Sequence, residues 1–434
     1  MTADVRATLD RAPMGRLQIA AIVLCVLLNA LDGFDVLAIS FASPGIAAEW
    51  GIDRAALGLV LSMELIGMAA GSIVLGSVAD RIGRRPTTLI CLVIMALGMA
   101  AATFAGTVEE LSAYRLFTGL GIGGMLACTN AMVAEFANAR ARSLAVAIMA
   151  AGYPMGAILG GSFASQLLVD GDWRDVFTFG AVITAVFLPV TFLLLPESIG
   201  FLVHKRPAGA LARVNAILSR MGHDQVDALP DPDPAAPKAG FRQLFAPGLA
   251  KTTLFLTLAY FCHIMTFYFI LKWVPKIVVD MGYAASAAGG VLVWANVGGL
   301  IGALLLSALS WRFPIRNLVI GAMLLSFVTV TIFGQGQSDI AMLAAVAAAA
   351  GFCTNAGVVG LYALIAQAFP TAVRASGTGF VIGFGRGGAA VGPILAGFLF
   401  SIDLGLASVG LAMACGSLLA AAMLLWLPKP APVR

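Results

Sequence analysis

Apolar runs of about 20 residues recur along the whole chain, separated by short polar turns, and each is long enough to cross a hydrocarbon core of roughly 30 Å as a helix. The pattern predicts spans at Leu17–Ala42, Ala55–Ala79, Thr87–Gly106, Leu111–Phe136, Ser143–Val169, Val176–Leu195, Leu249–Val279, Ser286–Ser310, Asn317–Gly334, Ile340–Ala366, Ser376–Phe400 and Leu404–Leu427. The longest polar stretch separates the sixth span from the seventh. The expected architecture is therefore all-α and integral to the membrane, with twelve transmembrane helices in two six-helix halves, 1–195 and 249–434, joined by a linker at 196–248. Within that linker, Pro230–Pro237 reads as flexible, and Ala208–Arg220 as a short amphipathic helix.

Composition removes the competing classes. Of 434 residues 60% are hydrophobic and 11% charged, against about 25% charged in a soluble domain, so a water-soluble fold is excluded. The net charge of +4 is no nucleic-acid signal, because the basic residues gather on one side of the spans. Of the 26 Lys and Arg, only Arg54, Arg174 and Lys276 fall in the opposite loops and only Arg115, Lys272 and Arg386 within spans. By the positive-inside rule both termini lie in the cytoplasm of a bacterial-type inner membrane. The six cysteines are scattered singly through apolar runs, with no disulfide or metal-ligand spacing. No cleavable signal peptide is expected, since the first run is too long and lacks a cleavage site.

The halves carry traces of duplication at an offset of about 231 residues. Arg81 and Arg85 fall on Arg312 and Arg316; Glu135 with Arg142 falls on Gln367 with Arg374; Asp32 falls on His263. Parallel repeats of this kind form a substrate site at their interface.

Charges inside the spans are the candidate chemistry, because an acid at a helix centre costs about 2.5–3.5 kcal/mol on insertion scales. Asp32 and Asp35 share a face of span one, and two carboxylates that close repel when ionised, which favours proton uptake by one of them. Structural pairing with a basic neighbour is the alternative. Glu64 in span two is a second proton-site candidate, and Arg115 in span four is a partner for a span-one aspartate. Arg386 lies twelve residues beyond Arg374, about 18 Å along the helix and near the midplane, among Gly383, Gly385, Gly387 and Gly388. Its planar fork suits a carboxylate, an interhelical aspartate being the other reading. His263 has similar depth and sits in an aromatic stretch, as a binding group or as a satisfied buried polar residue. Lys272, beside Trp273, is expected to snorkel to the interface. Glu135 is expected to pair with the Arg81, Arg84, Arg85 cluster.

The stretch Gly76-Ser77-Val78-Ala79-Asp80-Arg81-Ile82-Gly83-Arg84-Arg85 resembles the signature loop of the major facilitator superfamily, with Gly76 allowing close helix approach and Gly83 a tight turn. Arg115-x-x-x-Gly119-x-Gly121, the group Gly152, Pro154, Gly156 and Gly160, and Pro196-Glu197-Ser198 resemble further motifs of that superfamily. Asp32-Gly33-Phe34-Asp35, then Phe369-Pro370-Thr371 with Arg374 and Gly383-x-Gly385-Arg386, are similar to the aromatic acid:proton symporters within it. The second-half loop departs from the pattern, with Trp311 in place of the loop acid and Gln367 at the end of span ten.

The resemblance implies the major facilitator fold and a monomeric, proton-coupled importer of a hydroxybenzoate, protocatechuate or related lignin-derived acid, working by alternating access. Asp32, Asp35, Glu64 and Arg115 would serve coupling. Arg386 and His263 would hold the carboxylate, while Tyr153, Phe267, Trp294 and Tyr362 would stack on the ring. Gly76, Asp80, Arg81, Gly83, Arg84, Arg85, Glu135 and Arg142 would form a conformational latch. No cofactor beyond the proton is expected, and no glycine-rich phosphate loop ending in Gly-Lys-Ser or Gly-Lys-Thr is present. Rival readings are a symporter for nicotinate, shikimate or an aliphatic dicarboxylate, and a proton-driven exporter. An integral-membrane enzyme is disfavoured, with three His and no nucleophile–base spacing.

Overall fold

In lipid every backbone amide must be bonded within the protein, and continuous apolar runs of about 20 residues, too long and too uniform for barrel strands, meet that demand as helices. A computed structural model of the chain describes residues 9–229, 241–370 and 373–427. It contains twelve helices long and apolar enough to span a membrane: Arg16–Trp50, Arg54–Ile82, Arg84–Thr103, Val108–Phe136, Arg142–Asp170, Trp173–Leu194, Ala250–Asp280, Ala285–Leu309, Ile315–Gly334, Ile340–Ala368, Ser376–Ser401 and Leu406–Leu425, hereafter spans one to twelve. Two shorter helices, Ile199–Lys205 and Ala210–Met221, follow span six. The second buries Ala210, Val214, Ile217, Leu218 and Met221, the apolar stripe of the expected amphipathic helix. The Pro230–Pro237 linker lies outside the described residues, as does Thr371.

Two spans differ from the hydropathy reading for visible reasons. Span one runs on past Pro44 to Trp50 instead of stopping at Ala42. Proline removes the bond to the carbonyl four residues back, that of Ser40, and the Ser43 hydroxyl donates to that same carbonyl at 2.8 Å. Span eleven is interrupted at Arg386, between helices Arg374–Gly385 and Gly387–Ser401. The four surrounding glycines each weaken the helix, and the turn tightens, with the Ala389 amide bonding the Arg386 carbonyl three residues back at 2.9 Å.

The chain clusters into two compact units that cut across spans one, two, five and six. The first comprises the described parts of 1–36, 67–157 and 177–236; the second those of 37–66, 158–176 and 237–434. In the first unit spans one and five meet backbone to backbone: a Cβ at Gly33 would strike the Tyr153 carbonyl, so the glycine of Asp32-Gly33-Phe34-Asp35 is needed for packing. In the second unit the end of span two is fastened to spans seven and eleven. Arg54 pairs with Asp280 at 3.1 Å, the Ser62 hydroxyl donates to the Ala390 carbonyl at 2.7 Å, and Trp273 Nε1 donates to the Pro393 carbonyl at 3.2 Å.

Candidate functional site

Span seven carries Tyr260 and Tyr268 just over two turns apart, and span ten carries Tyr362. Gly385 has no side chain, which lets the Tyr260 ring lie against span eleven next to Arg386, where a Cβ would collide with it. The Tyr260 and Tyr362 hydroxyls are 3.1 Å apart, and the half-buried Arg386 guanidinium lies within electrostatic range of these two phenols and that of Tyr268. Phe267 stacks edge-on against Tyr268, with ring centroids 5.3 Å apart. Among the described residues no carboxylate comes within 4.0 Å of Arg386. The result is a cation with phenols in its neighbourhood, an arrangement that can offer an aromatic anion two parallel bonds from the guanidinium, hydroxyls for the remaining lone pairs and rings to stack on.

Two expected members of this site sit elsewhere. His263 is fully buried, its Nε2 donating to the Thr354 carbonyl and its Nδ1 bonded to the Ser417 hydroxyl, each at 2.9 Å. Both ring nitrogens are thus taken up in joining spans seven, ten and twelve, and the structural reading of His263 replaces the binding one. Trp294 is 55% exposed and shares a stripe of span eight with the exposed Ile301, Leu304 and Leu305, a periodicity that belongs to an outward apolar face. Tyr153 is half-buried in the first unit, its carbonyl against Gly33. Tyr260 and Tyr268 are the members that sequence reasoning missed, although both belong to the aromatic stretch around His263.

Asp32 and Asp35 are both fully buried in the first unit. Arg115, equally buried, donates from Nη2 to the Asp35 carbonyl at 2.8 Å, reaches Met99 Sδ at 2.8 Å and lies over the Phe177 ring at 5.4 Å. It therefore links spans one, three, four and six. Thr184 Oγ1 approaches Asp35 Oδ2 at 3.5 Å.

Glu64 and Lys272 correct the expectation that the lysine snorkels. Both side chains have no exposure, and Nζ lies 3.4 Å from Glu64 Oε2. Once Lys272 faces inward, its long side chain is better satisfied by a buried carboxylate than by an interface it cannot reach.

The loop after span two forms a cap. Gly83 adopts φ +112, a region that favours glycine, and turns the chain so that the Arg84 and Arg85 amides both donate to Glu197 Oε1, at 2.8 and 3.2 Å. Glu197, of the Pro196-Glu197-Ser198 motif, is thus the acid at the head of span three. Asp80 pairs with Arg84 at 2.6 Å, Arg85 donates to the Phe192 carbonyl at 2.6 Å, Arg142 pairs with Asp10, and the Ser198 hydroxyl donates to Glu135. Arg81 faces outward. Gly76 does not mark a close approach as expected: a Cβ there would meet only that of Ala127, at 3.8 Å.

The family model for the Major Facilitator Superfamily matches residues 25–333 and 256–434. A gallate transporter of Pseudomonas putida is 32% identical over 93% of this chain and 90% of its own length. The 3-(3-hydroxy-phenyl)propionate transporter of Escherichia coli is 32% identical over 92% and 91%, and the 4-hydroxybenzoate transporter PcaK of Pseudomonas aeruginosa is 29% identical over 97% and 95%. Among solved structures, the inward open xylose transporter XylE of E. coli superposes with a TM-score of 0.73 at 17% identity, covering 96% of this chain and 97% of XylE, a likeness of fold alone.

Proposed function

The chain belongs to the major facilitator superfamily and, within it, to the aromatic acid transporters, and from that premise we propose that it imports a hydroxylated benzoate-type acid together with protons. It is a multi-pass membrane transporter and not an enzyme. The observation that carries the substrate class is Arg386: a cation inside span eleven, with no carboxylate within 4.0 Å among the described residues and three phenols within electrostatic range. A desolvated cation is costly without an anion, and a cargo carboxylate supplies one. Relatives named for gallate, 4-hydroxybenzoate and 3-(3-hydroxy-phenyl)propionate share an aromatic ring, a hydroxyl and a carboxylate, which suits a guanidinium flanked by Tyr260, Tyr268 and Tyr362.

Asp32 and Asp35 are the proposed proton carriers, with Arg115 fixing their segment of span one through the Asp35 carbonyl. The excess of basic residues in alternate loops supports cytoplasmic termini in an inner membrane.

The test is transport by purified protein in liposomes. Vesicles preloaded with unlabelled 4-hydroxybenzoate take up labelled 4-hydroxybenzoate or gallate by counterflow. An inward proton gradient drives net accumulation in the wild type, and Asp32→Asn or Asp35→Asn abolishes the accumulation. Counterflow of aliphatic dicarboxylates but not of aromatic acids would overturn the substrate class; accumulation indifferent to the gradient would overturn the coupling.

A further inference from the structure

In the first unit spans one and five run side by side, Asn29 Nδ2 donating to the Met149 carbonyl at 2.5 Å. Ile19, Val23 and Leu27, four residues apart on span one, form one exposed apolar stripe, and Leu144 and Ile148 form another on span five. Between them runs an entirely apolar trough of about 280 Å³, extending from Met14 and Ala141 along both helices.

Its mouth is basic. The segment before span one is docked on the turn before span five: the Ala139 amide donates to the Asp10 carbonyl at 3.3 Å and the Asn138 side chain to the Ala12 carbonyl at 3.0 Å. This docking brings Arg16, two residues from Met14, and Arg140, next to Ala141, to the same end of the trough. Both are exposed, and neither forms an ion pair with a described residue. Asp10, the acid nearest Arg16 in sequence, is engaged with Arg142, and Glu135, the nearest to Arg140, accepts from the Ser198 hydroxyl.

We infer that this trough is a binding site for an anionic phospholipid, which lays an acyl chain between spans one and five and sets its phosphate between Arg16 and Arg140. The apolar wall and the charged rim together make the argument. An apolar wall alone would take any acyl chain, and arginines alone would bind any anion, whereas a basic pocket at the end of a groove between transmembrane helices selects a lipid that carries both. A second copy is a poor occupant, because a two-fold pairing through this face would turn rims of like charge toward one another. Residues 1–8 are a poor occupant too, since Met1 and Val5 are their only large apolar side chains.

The test is native mass spectrometry of the full chain in detergent with dioleoylphosphatidylglycerol, dioleoylphosphatidylcholine or inorganic phosphate added. The wild type retains the glycerol lipid at concentrations where the choline lipid is lost, and millimolar phosphate does not displace it. Arg16→Ala with Arg140→Ala weakens retention of the glycerol lipid about thirtyfold, at roughly fivefold per arginine. Val23→Trp with Ile148→Trp fills the trough and weakens it with the arginines intact. All four positions have surface exposure, and unchanged helicity and melting confirm that the variants fold. Three results would each overturn the site: equal retention of both lipids, unchanged retention in the double arginine variant, or displacement by phosphate. A dimer lost on introducing the two tryptophans would assign the trough to a second copy instead.

Discussion

Lys272 and Arg386 are cations well inside spans of the second half of the chain, and the protein treats them in opposite ways. Lys272 is sealed from solvent with the Glu64 carboxylate 3.4 Å from its ammonium, whereas Arg386 is half-buried, faces phenols and has no carboxylate within 4.0 Å among the described residues. A buried charge whose partner comes from the protein is a fixed strut, here fastening span two to span seven beside the Arg54–Asp280 pair. A cation with no such carboxylate is, on the proposed reading, prepared for an anion that comes and goes. Burial alone does not separate binding residues from scaffold; the identity of the partner does.

The contrast breaks most visibly at the strut. Lys272→Met leaves Glu64 buried without its cation and should cost about 3–5 kcal/mol of stability, seen as a fall in melting temperature in detergent. Adding Glu64→Leu should recover most of that loss, because an apolar pair of similar volume replaces two desolvated charges. A double variant as unstable as the single one would mean that the pair does not act as a unit.

Substitution of Arg386 should do the reverse, leaving melting nearly unchanged and removing affinity. Arg386→Ala forfeits two charge-assisted bonds of about 1.5 kcal/mol or more each, roughly 100-fold in binding of an aromatic acid. Arg386→Lys keeps the charge without the fork, for a loss of roughly tenfold by isothermal titration. Glu197→Ala removes the acceptor of the Arg84 and Arg85 amides and should lower stability by about 1 kcal/mol, with cargo affinity unchanged. The smallest effect is expected from Tyr362→Phe, where one hydroxyl is lost and affinity falls by about 0.5–1.5 kcal/mol. An unaltered affinity there would remove span ten from the anion site.

How much of this could be read from the chain depends on the range of the interaction. The twelve spans were legible because hydropathy is a local sum over about 20 residues. Pro44 and the glycines around Arg386 blurred two boundaries, because the bonds that rescue or break a helix are made by side chains hydropathy does not weigh. Asp32, Asp35, Glu64, Arg115, Lys272 and Arg386 stood out as charges where few belong. Their partners did not, since Glu64 meets Lys272 across 208 residues and Glu197 reaches Arg84 across 113. His263 and Trp294 misled differently. A histidine satisfied by a carbonyl and a hydroxyl leaves no mark in sequence, whereas the spacing of Trp294, Ile301 and Leu305 at seven and eleven residues was there to be read as an outward face.

The central claim, that Arg386 holds the cargo carboxylate, is tested most directly by titrating wild type and Arg386→Ala with 4-hydroxybenzoate and with its amide, which keeps the ring and hydroxyl and lacks the charge. The account predicts that wild type binds the acid on the order of 100-fold more tightly than the amide, and that Arg386→Ala binds both equally weakly. Equal binding of acid and amide by wild type, or unchanged acid affinity in Arg386→Ala, would contradict it.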